Sequence, residues 1–157
     1  MKKISWKVYL LWILVCEAVG ALSGFLSREG MRLYEQMPVK PALSPPGWVF
    51  PIVWGLLFAL MGIGAARISS SSDDGRNRAL NLFTAQLVVN FFWPLLFFNA
   101  MAFGFAFIWL ILLWILVLLM ILSYWRIDQL AAWLQVPYLL WLTFAGYLNY
   151  MVVMLNR

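Results

Sequence analysis

Five apolar runs constrain this chain more than any other feature of its sequence. The 157 residues are 65% hydrophobic and 11% charged, whereas a globular domain carries roughly a quarter charged residues. An apolar helix of about twenty residues crosses the ~30 Å hydrocarbon core of a bilayer with its backbone groups paired internally. We therefore predict one all-α integral membrane domain over 1–157, a bundle of five transmembrane helices at about 6–26, 47–68, 79–98, 102–125 and 130–154.

The basic residues indicate membrane orientation rather than nucleic-acid binding. The net charge is +5, but the bases are scattered around the ends of the apolar runs, where lipid headgroups and the positive-inside bias account for them. We expect membrane lipid and no nucleic acid as a partner. One side of a five-span chain has Lys2, Lys3, Lys7, Arg67, Arg76, Arg78 and Arg126, and the other has Arg28, Arg32, Lys40 and Arg157. This bias predicts a cytoplasmic N-terminus and an external first loop.

The sequence lacks the residues that several kinds of chemistry require. Histidine is absent and Cys16 is the single cysteine, so no intrachain disulfide and no cluster with metal-ligand spacing can form. We predict no metal site and no required cofactor. The sequence also offers no carboxylate pair and no nucleophile beside a base, which argues against hydrolysis or ordinary acid–base catalysis.

The first apolar run contains a carboxyl group and a small-residue motif. Glu17 is the only acid in any of the runs; an intramembrane carboxyl is a candidate functional group, and a neutral Glu bonded to a neighbouring helix is the structural alternative. Gly20 and Gly24 form a GxxxG motif that lets another helix approach closely. That helix could belong to the same subunit or to a second copy.

A junction rich in proline and tryptophan leads into the second run. Ser44 is a suitable N-cap and Pro45 a suitable first helical residue, so we predict that the helix begins there. Pro51 would then lie inside the helix, which a membrane tolerates where protein or water pairs the freed carbonyl. The long polar connector at 27–45 is either a solvated linker or a lid. We favour a lid over a protein-lined helix mouth.

Polar and aromatic side chains recur at helical spacing in three of the runs. Residues three and four apart share one face of a helix, and amides facing lipid cost free energy, so the polar faces are predicted to point inward. Each face is consistent with simple packing or interhelical hydrogen bonding as well as with a binding site. The faces are Pro51, Trp54, Phe58 and Met61; Gln86, Asn90 and Trp93; and Gln135, Tyr138, Trp141, Ala145 and Asn149.

Taken together, these motifs resemble the tryptophan-rich sensory protein family, also known as the translocator protein, TspO/MBR or peripheral-type benzodiazepine receptor family. The resemblance extends over nearly the whole chain, from the first run to Asn149, and indicates a bacterial member. It rests on Pro41, Pro45, Pro46, Trp48, Phe50, Pro51 and Trp54, then Gln86, Asn90 and Trp93, then Pro137, Tyr138, Trp141 and Ala145.

The resemblance implies a five-helix bundle, commonly a homodimer, with a pocket beneath the first loop. It implies porphyrins, sterols and isoquinoline or benzodiazepine compounds as ligands. By position, it assigns pocket-lining roles to Trp54, Asn90, Trp93, Trp141, Ala145 and Leu148, and lid roles to Tyr34 and Pro45. Together with three neighbours on the same helical faces, the candidate ligand-binding residues are Tyr34, Pro45, Trp54, Phe58, Gln86, Asn90, Trp93, Tyr138, Trp141, Ala145 and Leu148.

Two positions depart from the family pattern. Leu43 stands where many bacterial members have a tryptophan, so one aromatic contact from the loop is missing. The sterol pattern is also imperfect: Leu148, Tyr150 and Arg157 are in the right order, but the last two are too far apart for the loose motif. Cholesterol binding is therefore a weaker expectation than porphyrin binding.

Three functions follow from this resemblance. The leading hypothesis is a membrane sensor or regulator that binds protoporphyrin IX through aromatic stacking and amide hydrogen bonds. One alternative is light- and oxygen-dependent porphyrin breakdown, with Trp54 and Trp141 as the photochemical residues. The other is porphyrin or sterol transport, for which Glu17 is the only candidate for proton coupling.

Overall fold

The computed structural model describes residues 3–156, and the regular elements in that range are helices. Five segments are long and apolar enough to cross a membrane: Trp6–Leu26, Val49–Ser69, Arg76–Asn99, Phe103–Trp125 and Gln129–Leu155. The prediction of an all-α, multi-pass membrane protein is confirmed. The helices are α1 (Trp6–Leu26), α2 (Arg28–Glu35), α3 (Val49–Ser69), α4 (Arg76–Pro94), α5 (Phe103–Trp125), α6 (Gln129–Trp133) and α7 (Val136–Leu155), and α4 continues into a π-helical turn at Leu95–Asn99, here called the π-turn.

The second span begins later than the sequence predicts. Its first residue is Val49, and Ser44 does not cap it, because the Ser44 hydroxyl instead donates to Pro41 O at 2.7 Å. Pro51 is consequently the third residue of α3, where its missing N–H is one that no helical carbonyl could pair. The prediction that Pro51 lies in the interior of the helix is therefore wrong, because Pro51 lies in the first turn of α3.

Prolines also shape the third and fifth spans. Pro94 lacks the N–H that would bond to Asn90 O, and the helix changes to π geometry directly after it. The predicted continuous helix at 130–154 is divided into α6 and α7, because the ring of Pro137 crowds the carbonyl of Trp133 and Pro137 occupies the first turn of α7.

The connector is partly helical. The predicted loop at 27–45 contains α2, an eight-residue helix. Gly30 of α2 lies so close to the π-turn that an added Cβ would be 2.5 Å from Phe98 O. Asn99 Nδ2 donates to Leu26 O at 2.8 Å. These contacts place α2 across the ends of α1 and α4.

The bundle has two ends that are packed differently. We call the end beneath the connector the connector half, and the end that contains Arg67 the Arg67 half. In the Arg67 half, Arg67 Nε donates to Asp128 Oδ2 at 2.7 Å and Arg67 Nη1 donates to Tyr9 OH at 3.2 Å. Asp128 also caps α6 by accepting from Leu130 N and Ala131 N. This cluster joins α1, α3 and the start of α6.

Small residues bring the helices of the Arg67 half into close contact. A Cβ added at Gly62 would lie 2.5 Å from Ile13 Cα, so α1 and α3 touch there through their backbones. A Cβ added at Gly64 would overlap the amide of Gln135, which donates from Nε2 to Leu60 O at 3.0 Å. The helices of this half therefore leave no room for larger side chains at Gly62 and Gly64.

Candidate functional site

A cavity of about 960 Å³ lies in the connector half, between α1, α3, α4 and α7 and beneath the connector. It brings together residues that are distant in sequence, from the first span to the last. The predicted ligand-binding residues that line it are Tyr34, Pro45, Trp54, Phe58, Asn90, Trp93, Trp141, Ala145 and Leu148. Gln86 and Tyr138 do not line it.

Aromatic rings form two walls of the cavity. On the α3 side, the ring centroids of Trp54 and Phe58 are 5.6 Å apart. Trp141 of α7 meets Phe50 edge-on at 5.9 Å. On the α4 side, Trp93 stacks on Phe97 at 4.9 Å with 25° between the rings. Offset and edge-to-face contacts of this kind favour particular ring orientations, so the rings of each wall support one another.

Gln86 and Tyr138 form a polar layer behind the cavity wall. Asn90 Nδ2 donates to Tyr138 OH at 2.5 Å, and Tyr138 OH donates to Gln86 Oε1 at 2.7 Å. Both residues are fully buried, because they point from α4 and α7 into the helix contacts rather than into the cavity. Their predicted role as ligand contacts is therefore corrected: they orient Asn90, which does reach the cavity.

A second amide fixes the opposite end of the wall. Trp93 Nε1 donates to Asn149 Oδ1 at 3.2 Å, and Asn149 Nδ2 donates to Phe103 O at 2.9 Å. These two bonds connect α4, α5 and α7 at the connector end of the bundle. Between this pair and Trp141, the small side chain of Ala145 leaves space in the wall.

The connector is fastened over the cavity by several contacts. Tyr34 packs against Phe97 and Phe98 with ring centroids 5.4 Å away in each case, and burial raises the pKa of the Tyr34 hydroxyl. Tyr147 OH donates to Ala42 O at 2.9 Å, which ties the connector to α7. On its solvent side, the hydrogen bond from Arg32 holds the pKa of Glu29 below its ordinary value.

Leu43 is at the bend of the connector. Its φ of 70° lies in the left-handed region, where a branched side chain is uncommon. The side chain is 79% exposed and does not line the cavity. At position 43, where the chain departs from the family pattern, no aromatic ring reaches the cavity.

Comparisons with known proteins identify the family. A family model described as the TspO/MBR family matches residues 12–155. The tryptophan-rich protein TspO of Chlorobaculum tepidum is 35% identical over 144 residues, which cover 90% of this chain and 91% of that protein. Protein CrtK of Rhodobacter capsulatus is 32% identical over 155 residues, covering 98% and 95%. The translocator protein of Homo sapiens is 37% identical over 133 residues, covering 83% and 78%. The chain belongs to the TspO/MBR family.

This TspO/MBR family member also has cavity residues to which sequence reasoning gave no ligand contact. Phe97 is four residues after Trp93, so helical spacing was a signal for it, whereas Phe98 is five residues after Trp93 and reaches the cavity because of the π-turn. Gly20 and Gly24 form part of the α1 wall, and the GxxxG motif was their signal. Gly20 packs on the ring of Phe58 in the same chain, so the motif makes an intrachain contact at this position.

Charged residues lie at two levels of the cavity. Glu35 and Lys40 line it at the connector, and Lys40 Nζ donates to Glu35 O at 2.6 Å. Glu17 lines it on the wall of α1. Within residues 3–156, no group of three or more His, Cys, Asp and Glu side chains could hold a metal ion. The arrangement suits the binding of a flat, largely apolar ligand with polar groups at its edges.

Proposed function

We propose that this TspO/MBR family member is a membrane sensor or regulator that binds a tetrapyrrole such as protoporphyrin IX in the cavity of the connector half. The observation that carries the proposal is one cavity of about 960 Å³ lined by three tryptophans, Trp54, Trp93 and Trp141. Pockets for small organic ligands have volumes of roughly 300–1,000 Å³ and mainly apolar walls with a few polar groups. This cavity is large enough for a macrocycle.

The wall chemistry supports a planar aromatic ligand. Tryptophan offers a large π surface, and each well-placed aromatic pair contributes about 0.5–1.5 kcal/mol beyond the burial of its area. Asn90 supplies a hydrogen-bonding group whose orientation is fixed by Tyr138. Binding by stacking and by amides needs no axial metal ligand, which is consistent with a chain that has no histidine. The same walls would accept sterol- or isoquinoline-like ligands.

The connector end of the cavity supports recognition of an anionic edge. Lys40 lines the cavity there, and its ammonium has three donors, of which one is used on Glu35 O. A carboxylate side chain of a porphyrin would pair with Lys40 near water while the ring lies deeper among the tryptophans. Charge-assisted hydrogen bonds of this type are shorter and stronger than neutral ones.

The distribution of bases gives the proposed orientation. With the N-terminus in the cytoplasm of a bacterial cell, the connector and the cavity mouth face the outside of the cell membrane. Apolar side chains on α1, such as Leu11, Leu14 and Phe25, are exposed in the single chain. They face lipid or a second copy, and the homodimer implied by the family resemblance stays a prediction.

Removing one aromatic wall tests the proposed ligand. We expect Trp54→Ala and Trp141→Ala each to weaken protoporphyrin quenching at least tenfold, or about 1.4 kcal/mol, in detergent-solubilised protein. Trp133→Ala is the matched control, because Trp133 is exposed and outside the cavity. Titration curves that are the same in both wall variants and in the control would rule out this binding site.

Illumination separates binding from breakdown of the ligand. In the dark, the proposal predicts a stable protoporphyrin spectrum in the complex. Loss of that spectrum under light and oxygen, absent in Trp54→Phe and Trp141→Phe, would assign the photochemical activity to the tryptophans. Equal bleaching with and without protein would show that the protein binds protoporphyrin without breaking it down. Uptake of protoporphyrin into vesicles that depends on Glu17 would instead indicate coupled transport.

A further inference from the structure

Glu17 is a carboxyl group on the cavity wall with no hydrogen-bond or salt-bridge partner among the described residues. It lies within the membrane-spanning part of α1 and lines the cavity together with Gly20, Ala21 and Gly24. Among residues 3–156, no side chain or backbone group forms a hydrogen bond or salt bridge with it. A carboxyl group within a bilayer is costly unless it is paired, so this position calls for a partner from outside the chain.

The neighbouring polar groups are already occupied. Ser23 Oγ donates to Phe91 O at 2.7 Å. Trp93 and Asn149 bond to each other, and Asn149 donates its amide to Phe103 O. Lys40 lies in the connector, where its ammonium donates to the backbone carbonyl of Glu35. Glu17 is nine residues before the end of α1, which places it about 14 Å from that end at 1.5 Å per residue.

Glu17 and the ring of Phe58 line the same cavity. Gly20 is one turn further along the same face of α1, and the ring of Phe58 packs directly on Gly20. Trp54 is next to Phe58, with 5.6 Å between ring centroids. Gly24 has open space where a Cβ would be. A carboxylate close to aromatic faces and to free volume is the arrangement that binds an organic cation, through charge pairing and cation–π attraction.

We propose that Glu17 selects flat aromatic ligands that carry a protonated nitrogen, with the cation held between the carboxylate and the rings of Phe58 and Trp54. This inference uses the cavity of the proposed function and adds a second ligand class to it. The two ligand classes differ in where their charge lies: an anionic edge pairs with Lys40 at the mouth, and a cationic nitrogen pairs with Glu17 on the α1 wall.

Two probes of one shape test this selectivity. Acridine is neutral at neutral pH, and 9-aminoacridine has the same fused rings with a positive charge. Both are titrated by fluorescence into the full chain in a neutral detergent. We expect wild-type protein to bind 9-aminoacridine at least tenfold more tightly than acridine. Equal affinities in wild-type protein would overturn the proposal without any variant.

Two variants assign the effect to the residue. Glu17→Gln keeps the shape of the side chain and should reduce the tenfold preference to about equal binding while acridine affinity stays unchanged. Glu29→Gln makes the same change of charge on exposed α2, outside the cavity, and should retain the preference. If Glu17→Gln retains the preference, or if Glu29→Gln loses it, the cation is bound elsewhere.

A protoporphyrin titration of the same samples distinguishes this inference from the proposed function. Cation selectivity that depends on Glu17, without protoporphyrin binding, would contradict the tetrapyrrole proposal alone. Protoporphyrin binding without cation selectivity would contradict the Glu17 proposal alone. Should Glu17→Gln lose acridine binding too, Glu17→Asp decides: restored preference for the cation supports the charge pairing, and continued loss contradicts it.

Discussion

The same helices pack closely in the Arg67 half of the bundle and enclose a cavity in the connector half. In the Arg67 half, Gly62 allows α1 and α3 to touch through their backbones, and the Arg67–Asp128 salt bridge lies at the end of the bundle. In the connector half, Trp54 and Trp141 keep α3 and α7 apart around the cavity. Small residues next to backbone close a space, whereas large rings braced against each other leave one open.

We therefore expect the Arg67 half to contribute mainly to stability and the connector half mainly to ligand binding. Substitutions in the Arg67 half should lower stability and leave ligand affinity nearly unchanged in the protein that remains folded. Substitutions on the cavity wall should change affinity with a smaller effect on stability, because the free volume there accommodates new side chains.

Breaking the salt bridge should have the largest effect on stability. Arg67→Met leaves the Asp128 carboxylate, whose side chain is 4% exposed, without its bidentate partner, and removing one member of a buried pair costs about 3 kcal/mol. We expect that loss in the free energy of unfolding measured by SDS titration. Arg78→Met is the control, since Arg78 is exposed. Similar losses in both variants would contradict a specific role for the pair.

Adding one methyl group to each half should have opposite results. Gly62→Ala places a Cβ 2.5 Å from Ile13 Cα, which forces α1 and α3 apart and should cost about 2 kcal/mol. Gly55→Ala meets nothing within 4 Å on the cavity wall, so the helix preference for alanine should stabilise α3 by up to about 1 kcal/mol. Thermal midpoints in detergent compare the two. Equal shifts would show that the halves are packed alike.

Removing a hydroxyl should matter at one tyrosine and not at the other. Tyr138→Phe deletes two hydrogen bonds and leaves Asn90 and Gln86 without that partner, at about 1.5 kcal/mol. Tyr124→Phe deletes a buried hydroxyl that has no partner among the described residues and should be nearly neutral. Unfolding titrations and protoporphyrin affinity should both respond to Tyr138→Phe alone. A larger loss in Tyr124→Phe would mean that its hydroxyl is bonded.

The sequence predicts the spans and most of the cavity wall. The length of the apolar runs is sufficient to predict the five spans, because few structures other than helices can cross a bilayer. The family resemblance assigns Trp54, Asn90 and Trp141 to cavity-lining positions, and the structure brings these residues together. The ligands themselves stay predictions. Helical spacing alone cannot separate Asn90 from Gln86, because which of the two reaches the cavity depends on how α7 packs against α4.

Local features set by tertiary contacts are harder to predict. Ser44 and Pro45 have the chemistry of a helix start, yet α3 begins at Val49 because Ser44 bonds within the connector turn. The helical part of the connector, α2, is stabilised by contacts with the π-turn that no local pattern shows. Glu17 was recognised as an unusual group, but the missing intrachain partner is visible only in the structure.

Filling the cavity tests the central claim most directly. Gly55→Phe should place a ring in the cavity, because Gly55 lines it and a Cβ there meets nothing within 4 Å. Gly104→Phe adds the same ring at an equally open position of α5 outside the cavity. The account predicts that protoporphyrin affinity falls at least tenfold in Gly55→Phe, about 1.4 kcal/mol, and is unchanged in Gly104→Phe. Equal affinity in the two variants would contradict binding in this cavity.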